Sequence, residues 1–293
     1  MSSVPLPVYR EKDFVERTKQ KLQINPELVA DYLVKFLQDE CIRVRGIKRA
    51  VVGVSGGVDS SVTAHLCARA FGPDNTFAFR LPYKISSPES LIHADLVIDQ
   101  LGLHARTIEI TGMVDGYIVD HEPDATPLRV GNVCARCRMV ILFDQSAKLN
   151  ALPIGTGNKS ERLLGYFTWH ADDAPPINPL GDLFKTQVYQ LARYLGVPEV
   201  ILKKSPTPDL VRGITAAREL GITYDKADPI LFCFLQGYSQ DQLKQLGFEP
   251  KDVDLVWERL SQTHWKRHMP TVAVLSDTAI NEFYLRPVDY RGQ

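Results

Sequence analysis

Ala50 to Ser61 reads AVVGVSGGVDSS, and the fold turns on this stretch. The valine-rich run Ala50 to Val54 has the character of a strand buried on both faces, with Gly53, Gly56 and Gly57 bounding it. From Ser61 to Phe71 the pattern turns helical. Paired glycines directly after a buried strand let successive backbone amides point inward as an anion nest, and a helix beginning near Ser60 adds its positive end. The lysine of a Walker loop is absent and the glycine spacing is not the dinucleotide GxGxxG. The segment therefore predicts a third kind of phosphate loop. A tight turn that merely needs glycine conformations is the simpler alternative, but Ser55, Asp59 and Ser60 accompany the glycines and favour the phosphate.

Outward from the loop, strand and helix recur. Thr76 to Leu81, His104 to Ile110 and Ala151 to Ile154 predict strands, and Glu89 to Leu101 and Asn132 to Leu149 predict helices between them. Such alternation implies right-handed crossovers and an α/β fold: a doubly wound, Rossmann-like parallel sheet covered on both faces. A leading helix is expected over about 26–42, from the apolar spacing of Leu28, Tyr32, Leu33, Phe36 and Leu37. The sheet core spans about 45–210 within a single domain over 1–293, and an appended helical region over about 225–293 carries Ile230, Leu231, Phe234 and Leu235. Pro82 to Pro88 and Ser205 to Tyr224 read as mobile loops, natural lids over the strand ends.

The composition excludes several classes. With 293 residues, 44% hydrophobic, 34 basic against 35 acidic side chains and five cysteines, the chain is not disordered, collagenous or a disulfide scaffold. A net charge of -1 supplies no general attraction to nucleic acid or membrane, so neither is expected as a partner. Met1 to Phe14 lacks the apolar run of a signal peptide, and no stretch of about 18 apolar residues occurs. Cys41, Cys67, Cys134, Cys137 and Cys233 are odd in number and mostly sit in apolar stretches, which points to a reducing, cytoplasmic setting.

Several side chains have stateable jobs. Asp59 and Glu161, at the ends of two different strands, suit a Mg2+ that keeps its waters while neutralising polyphosphate. Glu161 also reads as a solvated first-turn helix glutamate. Thr156 and Thr207 offer hydroxyls, and Lys185 a compact charge that can follow a departing phosphoryl group. Arg136 lies on a helix whose apolar stripe is expected to be Val133, Cys137, Val140 and Ile141, so it points off the core and can meet an anion or solvent. Cys134 and Cys137 form a CxxC just after Asn132, where a helix N-terminus would lower a thiol pKa. They serve either packing or sulfur chemistry. His264 and His268 form an i, i+4 pair without a third partner, which does not make a zinc site.

Ser55 to Ser60, SGGVDS, resembles the pyrophosphate loop of the N-type ATP pyrophosphatases. Gly131 to Met139 (GNVCARCRM), Gly155 to Phe167 (GTGNKSERLLGYF), Asn178 to Val188 (NPLGDLFKTQV), Pro206 to Leu210 (PTPDL) and Trp265 to Pro270 (WKRHMP) are similar, in order, to the signatures of the ammonia-dependent NAD synthetases. The similarity covers about 26–270. It implies a sheet of the adenine nucleotide alpha hydrolase type and a ligase of NAD biosynthesis. Such an enzyme amidates nicotinic acid adenine dinucleotide (deamido-NAD) with ammonia, through an acyl-adenylate, to give NAD, AMP and pyrophosphate. It further implies Mg2+, ATP as co-substrate and a homodimer. By the resemblance ATP meets Gly53, Val54, Ser55, Gly56, Gly57, Val58, Asp59, Ser60, Thr156, Lys185 and Thr207. Asp59 and Glu161 hold the metal, and Arg136, Trp169, Asp172, Trp265 and Lys266 meet deamido-NAD. Asp59, Lys185, Asp172 and Thr207 carry the chemistry, Asp172 by holding and deprotonating ammonium with Asp173 in reserve.

The acceptor half departs from the family pattern. Where members have a lysine and then GDGGxD, this chain has Trp169 to Pro176; Trp169 takes the lysine position, Pro176 that of the final aspartate, and Asp172 stays in register. The C-terminal His-Lys pair becomes Trp265 and Lys266. The two tryptophans offer stacking area in exchange for polar contacts. The same chemistry on another carboxylate, a tRNA sulfur transferase using Cys134 and Cys137, and a nucleotide-binding protein without catalysis remain as alternatives. The pyrophosphate loop begins at Ser55, too early for an N-terminal glutaminase domain, so free ammonia, or a partner's, is the expected nitrogen source.

Overall fold

The computed structural model describes residues 11–204, 215–268 and 271–276. Four parallel strands, β1 (Ala50–Gly53), β2 (Thr76–Arg80), β3 (His104–Thr107) and β4 (Leu152–Pro153), pair in the order β3-β2-β1-β4. Side chains alternate across the pleat, and this sets the layers. Ala50, Val52 and Ala78 enter one core, closed by α2 (Pro26–Leu37), α3 (Val58–Phe71), α4 (Pro88–Leu101) and α8 (Lys185–Leu195), while Val51 and Phe79 enter the other, closed by α5 (Thr111–His121) and α6 (Pro127–Leu149). The strand order reverses between β1 and β4. In a doubly wound sheet the crevice at the carboxyl ends of the strands opens at that reversal.

A third apolar cluster lies outside the sheet. α7 (Lys159–Leu163), α10 (Ala216–Leu220), α11 (Tyr224–Leu235), α12 (Gln240–Gln245) and α13 (Pro250–Gln262) gather around Leu164, Phe184, Leu220, Ile230, Leu231 and Val256. Within this region α11 packs against α7 and α8. α1 (Glu11–Lys21), which the sequence reading did not anticipate, joins the same cluster through Phe14, edge-on to Tyr238 at 5.6 Å and to Phe248 at 6.3 Å. Among the described residues no helix is long and apolar enough to cross a membrane.

Several expectations are corrected. The leading helix runs on from Leu37 as a π-helical turn, Gln38–Val44, and β3 ends at Thr107 instead of Ile110. α6 starts at Pro127, with Thr126 accepting from the Arg129 amide, instead of at Asn132. Cys134 and Cys137 are therefore about two and three turns inside the helix, away from its positive end. Burial raises both thiols, Cys134 to about 11, so the premise for sulfur chemistry fails. The buried face of α6 is also rotated from the expected stripe: Cys134, Ile141 and Leu142 are buried, whereas Val140 is exposed. The Pro82 to Pro88 segment is pinned, because Tyr83 is buried and donates to Asp115 at 2.8 Å while Lys84 pairs with the same carboxylate at 2.6 Å. Of the second expected loop, 205–214 lie outside the described residues, and the rest includes α10 and the short α9 (Glu199–Lys203) precedes it.

The turn after α7 is locked from the C-terminal side. Gly165 adopts φ +65°, and a Cβ there would run into the side chain of Thr263. Arg267 Nη1 donates to the Leu163 carbonyl at 3.0 Å and its Nη2 to the Leu260 carbonyl at 2.7 Å, closing the ends of α7 and α13 together. Replacing Gly165 by Ala is expected to cost about 1–3 kcal/mol of stability through backbone strain alone. A denaturant midpoint unchanged from wild type would show that the turn relaxes freely.

Candidate active site

The glycine turn is a preformed cradle. Gly57 is the N-cap of α3 and supplies no side-chain cap, so the first amides of the helix face the crevice without an internal partner. Serines fix the shape around them: the Ser55 amide donates to Ser60 Oγ at 3.2 Å, and Ser60 Oγ and Ser61 Oγ donate to the Gly57 carbonyl at 3.0 and 2.8 Å. Gly56 adopts φ +79° with its α-carbon against the Ser90 carbonyl of α4, a position where any side chain would collide. Backbone conformation and close approach both demand glycine here.

Three charged side chains converge beside the cradle. Asp59 comes from the first turn of α3, Glu161 from α7 and Lys185 from the first turn of α8. Lys185 Nζ donates to Asp59 Oδ2 and, at 3.1 Å, to Glu161 Oε1. Asn158 joins the carboxylates from behind: its Nδ2 donates to Asp59 Oδ1 at 2.9 Å while its Oδ1 accepts the Glu161 amide at 3.0 Å as the N-cap of α7. Burial would lower the Lys185 ammonium, but Asp59 and Glu161 outweigh it and hold the lysine charged. The Glu161 carboxyl is pushed up by burial, a shift that Lys185 partly opposes. Asp59 and Glu161, the two carboxylates that Lys185 bridges, would suit a hard divalent ion that keeps most of its waters. Among the described residues no group of three or more His, Cys, Asp or Glu forms a metal cage.

The cleft over these groups, about 310 Å3, is lined by Gly53 to Ser55, Gly57 to Ser60, Thr156, Glu161 and Lys185. The predicted nucleotide residues are thus brought to one place, with Gly56 behind the wall; Thr207 lies outside the described residues. Asp172 lines the same cleft, accepting the Thr168 amide at 2.8 Å. Although solvent reaches the residue, loss of water around the carboxyl pushes its pKa up to about 6.

The other predicted acceptor residues gather on a shoulder beside the cleft. Arg136 Nη2 donates to the Trp169 carbonyl at 3.1 Å, Trp169 stands edge-on to Trp265 at 5.2 Å, and Trp265 is half exposed. Lys266 Nζ donates to the Gly165 carbonyl at 2.6 Å and to the Phe167 carbonyl, so its ammonium ties the GYF tract to the C-terminal segment. Sequence reasoning missed Arg80, Arg138, Lys204, Tyr166 and Tyr224, which also line the cleft. Arg80 was legible in principle, since it ends β2 on the carboxyl side of the sheet. The Asn158-x-x-Glu161 spacing is likewise a readable capping box.

The NAD synthase family model matches residues 29–270. The NH3-dependent NAD+ synthetase of Trichlorobacter lovleyi is 44% identical over 262 residues, 89% of this chain and 95% of that protein. That of Fusobacterium nucleatum is 43% identical over 86% of this chain and 98% of its own length. Among solved structures, an NMN synthetase from Francisella tularensis superimposes with TM-score 0.75 at 30% identity, covering 87% of this chain and 100% of that one. The NH3-dependent NAD synthetase of Campylobacter jejuni, in complex with a nitrate ion, gives TM-score 0.73 at 32% identity over 86% of this chain and 100% of its own.

Removing the central cation should leave Asp59 and Glu161 facing each other in a poorly solvated wall. Lys185→Met is expected to lose about 3–5 kcal/mol near pH 8. The like charges raise the folded-state carboxyl pKa above its unfolded value, so stability should return as pH falls and a shared proton replaces the lysine. Equal loss at pH 5 and pH 8 in denaturant titrations would contradict this account.

Proposed function

The chain belongs to the NAD synthase family, and from that membership we propose that it condenses deamido-NAD with ammonia at the expense of ATP, releasing NAD, AMP and pyrophosphate. One observation carries the reading: a single cleft is lined by the open N-terminus of α3, the Asp59–Lys185–Glu161 group and Asp172. The glycine turn receives the polyphosphate. The acceptor carboxylate attacks the α-phosphorus, and Lys185 stabilises the departing pyrophosphate. Asp59 and Glu161 would hold Mg2+, which supplies charge neutralisation of the polyphosphate. Ammonia then attacks the acyl carbon of the adenylate and AMP leaves, with Asp172 taking the proton the nitrogen sheds. Trp169 and Trp265 are assigned to the acceptor by the resemblance of their motifs to the family's and offer aromatic area near Arg136. Thr207 is assigned to ATP on the same basis.

The test is pyrophosphate release and NAD formation from Mg-ATP and ammonium, with and without deamido-NAD. NAD that depends on every component is the expected result. Pyrophosphate and NAD both absent, with ATP bound, would remove the reading. A second reading keeps the chemistry and shortens the acceptor to nicotinic acid mononucleotide. The likeness to the Francisella protein favours it, as does the replacement of acceptor-contact positions by Trp169, Pro176 and Trp265. Running both acceptors under one set of conditions separates the two by kcat/KM.

We also assign a homodimer and a cytoplasmic setting. α5 and α6 expose Met113, Tyr117, Leu128, Val140 and Phe143, a surface suited to a second copy, and no disulfide joins the described cysteines. A monomeric mass in sedimentation at micromolar concentration would exclude the dimer.

The role of Asp172 has a pH signature. As a proton acceptor it works ionised, so turnover should fall as pH drops through about 6. Asp172→Asn should lower turnover at pH 8 and flatten that acid limb. A variant profile parallel to wild type would remove Asp172 from proton transfer.

A further inference from the structure

α8 begins with the Phe184 amide met locally by Gln187 Oε1 at 2.9 Å, but the amides of Lys185 and Thr186 have no local acceptor. Its N-cap position is Phe184, whose ring carries no acceptor, so the leading amides need partners from elsewhere in the fold. They find them across the chain. The Lys185 amide donates to Ser160 Oγ at 2.8 Å, and the Thr186 amide donates to Asp228 Oδ2 at 2.9 Å. Thr186 Oγ1 donates to the same oxygen at 2.8 Å, and Ser160 Oγ donates to Asp228 Oδ1 at 2.6 Å. Asp228 is 0% exposed and sits on α11, in the helical region outside the sheet. A fully buried carboxylate is retained only when its oxygens are occupied, and here three donors occupy them.

The bonded groups are the neighbours of the reacting ones. Ser160 precedes Glu161 on α7, and the amides being capped belong to Lys185 and the residue after it. We propose that Asp228 is a positioning residue for the adenylation step: capping α8 from another helix and holding Ser160, it fixes Lys185 and Glu161 relative to each other and to Asp59. This rests on the reading above that Lys185 follows the departing pyrophosphate and Glu161 holds the metal. The negative charge also lies where the partial positive charge of α8 favours it. Rigid placement matters because a displacement of about 1 Å at a reacting group can cost on the order of a hundredfold in rate.

The assignment separates from a purely structural role by what changes and what does not. Asp228→Asn keeps the shape but sets an amide N–H2 against one of the donors. It should lower kcat about tenfold or more, with the acceptor KM within about twofold, since the affected contacts act mainly in the transition state. With ATP present, the half-saturation for Mn2+, followed by its paramagnetic signal, should rise several-fold. Thr186→Val removes one of the three donors, should show a smaller effect in the same direction, and serves if the asparagine variant folds poorly. Ile230→Val loosens the same helix in the core and should lower Tm while leaving kcat and Mn2+ binding as in wild type. The inference is overturned if Asp228→Asn and Thr186→Val retain wild-type kcat and Mn2+ half-saturation, or if Ile230→Val loses as much of both at a matched fall in Tm. Should wild type make no NAD from any acceptor, the proposed function fails by itself, and Mn2+ binding still decides the role of Asp228.

Discussion

A buried ammonium shared by two carboxylates is the constraint on which the site depends. Lys185, Asp59 and Glu161 come from three helices far apart in sequence, and none is comfortable out of water without the others. The sheet brings α3 to the point where strand order reverses, and the C-terminal helices bring α7 and α8 to meet it. Such an arrangement is a poor way to gain stability, because desolvation consumes most of the Coulombic attraction. Its value is placement. A positive charge and two negative ones are held beside an open helix N-terminus, where the proposed reaction has the charge of a polyphosphate to meet.

The parts of the site legible in the sequence were those whose chemistry is local. The glycine turn could be read because Gly56 and Gly57 follow a buried valine strand and because a nest of amides needs no distant partner. Asp59 could be read because it belongs to the same turn, whereas the helix that carries Lys185 was not read, its start having no side-chain acceptor at the N-cap. α6 was misjudged because Thr126 and Pro127 open it in a polar stretch with little apolar periodicity, and the CxxC reading fell with that boundary. α1 escaped notice because its mostly polar sequence commits only a few side chains, Phe14 and Val15 among them, to the core. The acceptor shoulder was least legible. Nothing in the spacing of Arg136, Trp169 and Trp265 says that a guanidinium will meet a carbonyl and one indole the edge of another.

The helical region outside the sheet carries more of the function than its place in the chain suggests. Arg267 closes α7 against α13, Lys266 fastens the tract that leads to Asp172, and Tyr224 and Asp228 face the group around Lys185 from α11. Capping from a remote helix also binds the two halves of the domain more tightly than apolar packing alone would, since a buried donor left without its acceptor costs more than the bond itself contributes. Function and cohesion therefore share the same few atoms.

The contact between α1 and α11 has a consequence for biosynthesis. Phe14 and Thr18 lie near the start of the chain, and their neighbours Cys233, Tyr238 and Phe248 are more than two hundred positions later. During translation the sheet and its flanking helices can organise as they emerge, but this cluster waits for the last quarter of the polypeptide. α1 must stay unsatisfied until then, a short amphipathic segment without its docking surface. The contacts that bring Tyr224 and Asp228 of α11 to the neighbourhood of Lys185 form on the same late schedule, so the site is completed after the sheet that carries it.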